Sequence, residues 1–117
     1  MSNLKLPDIS YSNLVQIAGD DWKKIAYETY AKRVPNYERG LTAVYVRHFN
    51  STIAIVLPDV VVVDNHGYHT RTTANRLNEI VFSNTGHHIG ITKGVMVFRE
   101  AITWKESELY GETRIPV

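Results

Sequence analysis

Cysteine is absent from all 117 residues. Its absence excludes disulfides, thiol nucleophiles and zinc–thiolate sites together, and it fits a reducing compartment. A dominant charge is missing too: 13 Lys and Arg stand against 12 Asp and Glu, a formal net charge of +1. No whole-molecule field draws such a chain to nucleic acid, so any basic patch has to be local. No apolar run approaches the ~18 residues of a membrane span. The opening MSNLKLPDIS lacks the basic-then-apolar order of a signal peptide. The expectation is a soluble cytoplasmic protein. There is no repeat, low-complexity tract or linker, and the length suits one domain, 1–117, with a single modest core.

Recognisable catalytic spacing is also missing. There is no Walker loop, no G-x-G-x-x-G, no G-x-S-x-G and no H-E-x-x-H. The five histidines are followed at the second position by Asn50, Tyr68, Arg71, Ile89 and Gly90. The His-x-Thr or His-x-Ser pairs of small cyclic-nucleotide phosphodiesterases are therefore absent. His87 and His88 are adjacent and point apart if extended, which is poor geometry for one metal ion. No catalytic set, metal site or cofactor is expected, and the protein is read as not an enzyme.

What is present is a β-rich pattern with one clear helix. RGLTAVYVRHF alternates, with Val44, Val46 and His48 on one face and Ala43, Tyr45, Arg47 and Phe49 on the other. Turns at Asn50-Ser51 and Pro58-Asp59 lead into TIAIVL and VVVVD, which predicts an antiparallel meander. HHIGITKGVMVFRE reads as a hairpin around Thr92-Lys93-Gly94. Residues 20 to 33 read as partly helical, with Asp20 as cap and Trp22, Ile25, Ala26 and Tyr30 on one face, although Thr29 onward also suits an extended chain. Val34-Pro35-Asn36 reads as a stop. A helix over 72–83 carries the apolar stripe Ala74, Leu77, Ile80 and Val81 and ends at Asn84-Thr85-Gly86 with a left-handed glycine. The fold class is α+β: a small antiparallel sheet, from residues near 42–49, 53–57, 60–64 and 87–99, with one or two helices packed on it.

The most informative stretch is DNHGYHTRTTANRLNEI, residues 64–80. An apolar strand turns at His66-Gly67, presents Tyr68, and opens the helix at Thr72-Thr73. The first amides of a helix lack intrahelical acceptors and its dipole favours negative charge, so this start suits an anion. Arginines grip phosphate through paired hydrogen bonds and aromatic rings stack on purines. The candidate ligand set is Arg47, Tyr68, Thr72, Thr73, Arg76, Phe82 and Arg99. Each also has a structural reading: Thr72 as a plain N-cap, Phe82 in the core, Arg47 and Arg99 as solvated strand residues with carboxylate partners.

The pieces VYVRHFNST, LPD, VVVVDN and GYHTRTTANRLN resemble a pattern in small bacteriophage proteins. That pattern is a strand ending at an Asn/Ser-Thr turn, a Pro/Asp turn, an apolar strand, then Gly-aromatic-x-Thr-x-Thr-Thr-x-x-Arg-(Ile/Leu)-Asn. His66 stands where a second Gly is common and Tyr68 where Trp is common. Size and layout resemble the first-described anti-Thoeris sponge family. The resemblance implies a homodimer or higher homo-oligomer in the host bacterial cytoplasm that sequesters a cyclic ADP-ribose isomer without cleaving it. Three other readings stay open: a phage inhibitor acting by direct protein contact, as anti-CRISPR proteins do; a nucleic-acid module, disfavoured by the net charge; and a cyclic-nucleotide hydrolase, disfavoured by the missing spacing.

Overall fold

The computed structural model describes residues 8–109 and 111–117. Residues 1–7, most of the segment read above for a signal peptide, lie outside the described residues, as does residue 110. In chain order the elements are α1 (Tyr11–Ile17), β1 (Lys23–Ala26), β2 (Thr29–Glu38), β3 (Leu41–His48), β4 (Ser51–Val56), β5 (Val60–Val63), α2 (Arg71–Thr85), β6 (His88–Thr92), β7 (Val95–Arg99), β8 (Glu106–Glu108) and β9 (Thr113–Pro116). A six-stranded antiparallel sheet has the order β1-β2-β3-β4-β5-β9, and a three-stranded one the order β6-β7-β8. The fold is α+β, as the patterning predicts.

The meander forms where the alternation places it. Val44, Val46 and His48 face inward, paired across β2 with Arg33, Ala31 and Thr29. The turns are tight for a local reason. Arg39-Gly40 and Lys93-Gly94 both take positive φ at the two central positions, which matches the twist of the flanking strands. The β3–β4 turn is Phe49-Asn50, one residue earlier than the sequence suggests, because Ser51 already pairs with His48.

Three expectations are corrected. Residues 20–33 hold no helix: Lys23–Ala26 and Thr29–Glu38 are paired strands, turned at Glu28 with φ 48°. The Tyr- and Thr-rich run favours a pleated surface, and pairing with β3 outweighs the weak helical stripe. Val34-Pro35-Asn36 does not stop the chain either. β2 runs through it, and the register with β3 shifts there, where a strand tolerates a proline. Finally, the 88–99 hairpin does not extend the meander sheet. It pairs with β8 to make the second sheet, while β1, β2 and β9 complete the first.

Helix α2 joins these parts. It packs on β6 of the small sheet and on β4, β5 and β9 of the large one. Ala74, Leu77, Ile80 and Val81 are buried in one apolar cluster with Leu14, Val46, Val61, Met96 and Ile115. The helix ends as expected: Gly86 has φ 82° and its amide bonds Phe82 O at 3.0 Å. Helix α1, which the patterning does not reveal, is fastened by side chains. Asn84 accepts from the Tyr11 amide at 2.9 Å and donates to Ile9 O at 3.0 Å. Arg33 donates to the Val15 carbonyl at 2.8 Å and to that of Ala18, satisfying the open end of α1. Replacing the fully buried Leu77 by Ala should destabilise the protein by about 2–5 kcal/mol, read as a lower urea midpoint at unchanged slope.

Candidate functional site

The segment between β5 and α2 is shaped by its own polar side chains. Asp64 Oδ1 accepts from the His66 amide at 2.8 Å, and Asn65 Oδ1 from the Gly67 amide at 3.0 Å. His66 and Gly67 then take φ of 51° and 79°, and the Tyr68 amide returns to Asn65 O at 2.8 Å. Asx turns of this kind reverse the chain tightly. His69 Nδ1 accepts from the Met96 amide at 2.8 Å, which ties the loop to β7.

The helix that follows is capped two residues earlier than the sequence suggests. Thr70, with ψ 151°, is the N-cap, and its Oγ1 accepts from the Thr73 amide at 3.3 Å. Thr72 is therefore the second helical residue and not the cap. The Ala74 amide bonds Thr70 O, so the Arg71 and Thr72 amides remain without an intrahelical acceptor.

Thr72 lines a cleft of about 430 Å³ between the β3–β4 turn and the start of α2. It is lined by His48, Phe49, Asn50, Ser51, Ile53 and Tyr68 with the three threonines Thr70, Thr72 and Thr73. Phe49 and Tyr68 keep 50% and 56% of their surfaces open. His48 is the opposite case, only 3% exposed. Its Nδ1 lies 3.3 Å from Thr29 Oγ1, and its buried Nε2 has no hydrogen-bond partner among the described residues. Burial first, then the Arg76 guanidinium, hold the imidazole below its ordinary 6.5. A neutral buried imidazole with an idle nitrogen is a polar group awaiting a partner.

The Kyanoviridae Gp96 protein family matches the chain over residues 7–115. The chain belongs to this bacteriophage family. No curated protein and no solved structure matches it.

In this family member the seven sequence-predicted residues fall into four places. Tyr68, Thr72 and Thr73 line the cleft. Arg76 lies one turn further along α2, 3% exposed, with Nη2 3.5 Å from Tyr27 O and Nη1 3.7 Å from Glu79. It contributes positive potential from below, and burial lowers its pKa. Arg47 is not in the cleft lining. Strand alternation sends it to the outer face of the sheet, where its guanidinium sits 4.6 Å and 4.7 Å from the ring centroids of Trp22 and Tyr30.

Phe82 and Arg99 belong to the far end of α2. Phe82 lies eleven residues beyond Arg71, about 16 Å along a helix. It is 53% exposed, not core, and stacks on His88, which stacks on Trp104. Arg99 is paired with Glu106 and lies over the Trp104 ring. The cleft residues that sequence reasoning overlooked are His48, Phe49, Asn50, Ser51, Ile53 and Thr70. The alternation that places His48 on the inner face and the Asn50-Ser51 turn were the available signals.

Two measurements test this geometry. Thr70→Ala should cost about 0.5–2 kcal/mol of stability as a lost N-cap, and Thr72→Ala much less, in parallel urea titrations. His48, held neutral in the fold, binds its proton more readily when unfolded. Its contribution to stability is complete above about pH 6.5 and is lost as pH falls from there through its lower folded pKa. Melting temperature should drop across that window, and His48→Gln should remove part of the slope.

Proposed function

We propose that this phage protein binds a phosphate-bearing cyclic nucleotide, of the cyclic ADP-ribose class, in the cleft at the start of α2 and holds it without turnover. The observation that carries this reading is the convergence at one cleft of four features: the Arg71 and Thr72 amides of the first turn of α2, which have no partner among the described residues, a row of hydroxyls, two exposed aromatic rings and a buried histidine with an idle nitrogen. A phosphate suits the Arg71 and Thr72 amides, where the helix dipole adds to the hydrogen bonds. Arg71, exposed at the first helical position, supplies a cation beside it. A purine suits the open faces of Phe49 and Tyr68. Nothing in this arrangement requires a metal or a nucleophile, so sequestration is the activity proposed, and the protein acts as an anti-defence sponge in the host cytoplasm. Assembly as a homodimer or larger oligomer is part of the same proposal, supported by the open, unclosed order of both sheets, each of which ends in edge strands.

One observation favours the contact-inhibitor alternative. Ile102, Trp104 and Phe82 are exposed near the C-terminal end of α2, an apolar area of the kind that meets a protein.

The readings separate in one assay. The protein is incubated with a panel of cyclic ADP-ribose isomers and cyclic oligonucleotides, separated from free ligand, heat-denatured, and the supernatant analysed. Sequestration returns the intact nucleotide, hydrolysis returns a product, and a contact inhibitor depletes nothing. Tyr68→Ala should weaken the retained ligand by about 1–3 kcal/mol, the range for loss of a stacking ring, or roughly five- to 150-fold at 1.4 kcal/mol per decade. Depletion of no member of the panel would end the sponge reading.

A further inference from the structure

The outer face of the large sheet carries a second constellation, separate from the cleft. Register sets Lys24 opposite Tyr30, Tyr30 opposite Arg47, and Lys32 opposite Tyr45. Pleating therefore sends these five side chains to one face. Trp22, just ahead of β1, lies against them, with Arg47 at 4.6 Å and Lys32 Nζ at 5.7 Å from its ring centroid. Arg47 is thus held between two rings, and its buried Nε has no hydrogen-bond partner among the described residues.

Two cations of this face, Lys32 and Arg47, are held by rings and, among the described residues, not by carboxylates. Arg33, Arg39, Arg99 and Arg114 each have a carboxylate partner. Among the described residues, Lys24, Lys32 and Arg47 form no ion pair, and Arg47 and Lys32 rest on rings instead. The neighbouring acids are engaged or turned to other groups. Asp20 pairs with Arg33, Asp21 Oδ1 accepts from the Trp22 amide, and Glu28 acts on His48. Three cations interleaved with Trp22, Tyr30 and Tyr45 form a local basic patch that a net charge of +1 conceals.

We propose that this sheet face binds single-stranded nucleic acid. An antiparallel face with aromatic rings takes unstacked bases, and the cations set among the rings meet the phosphates. A duplex keeps its bases stacked on one another and offers no free ring face to this platform. The chemistry suits RNA and DNA alike.

The test uses Trp104→Phe protein, which leaves Trp22 as the sole tryptophan reporter. It is titrated with oligo-dT and oligo-U of about 12 nucleotides, within the ~4–16 span of known single-strand sites, and with a duplex of the same length. Single strands should quench Trp22 and bind at least about ten-fold more tightly than duplex, since stacking supplies the difference. For three phosphate contacts the slope of log K against log salt should be about −2. Lys24→Glu combined with Lys32→Glu should weaken binding at least about ten-fold and flatten the salt slope to about −0.7, with an unchanged melting temperature. Tyr68→Ala, in the cleft, should bind the oligonucleotides as the parent does. Stronger oligo-dT or oligo-U binding shows which strand type is preferred. Absence of binding, equal binding of duplex, or weakening by Tyr68→Ala and not by the lysine changes would each overturn the proposal.

Discussion

Burial of one helical stripe, Ala74, Leu77, Ile80 and Val81, is the contact on which the rest of the molecule depends. These side chains are what the six-stranded and three-stranded sheets have in common. A two-stranded hairpin with a three-residue third strand has little independent stability in water, and it gains its core by lying on α2. The bonds from Met96 to His69 and from Ile89 to Asn78 Oδ1 then fix the small sheet along the helix, at 2.8 Å and 2.9 Å. The same burial sets the position of the α2 start, because Ala74 lies only three residues inside it. The cleft is a consequence: the Phe49-Asn50 turn and the Asp64–Thr70 loop meet where the helix has to begin.

The histidines show how such a scaffold uses a titratable residue without chemistry. His69 and His87 accept backbone amides through Nδ1, at 2.8 Å and 3.0 Å, which fixes each as the Nε2–H tautomer. His66 lies against the Thr52 carbonyl, and His88 is a layer in the Phe82–Trp104 stack. Among the described residues only His48 keeps a ring nitrogen idle in a buried position, and it does so on the wall of the cleft. Leaving such a nitrogen unpaired costs free energy that an arriving partner recovers.

Much of the fold was legible because the relevant signals are local. Alternation in β3 to β5, the glycine turns, and the 3.6-residue stripe of α2 each act over a few residues. β1 and β2 were hidden because Trp22, Ile25, Ala26 and Tyr30 imitate a helical face, although each strand pairs with its neighbour in the chain. Helix α1 was hidden for a different reason: its anchors, Arg33 and Asn84, lie far along the chain. In the site, Tyr68, Thr72 and Thr73 were readable from one contiguous motif. Arg47 and Arg99 were not, because a cation on a strand has two faces to choose from and the pattern alone does not say what waits on each. Phe82 was displaced by simple distance along the helix.

An amide-resolved titration tests the central claim, that the α2 start is a ligand site, most directly. Nitrogen-15-labelled protein is observed by NMR as a cyclic ADP-ribose isomer is added. The account predicts saturable shifts centred on the Arg71 and Thr72 amides, the Phe49-Asn50 turn and the His48 ring, with the Trp22–Arg47 face unmoved. Saturable shifts confined to the Trp22–Arg47 face or to the Phe82–Trp104 end, or no shifts at millimolar nucleotide, would contradict it.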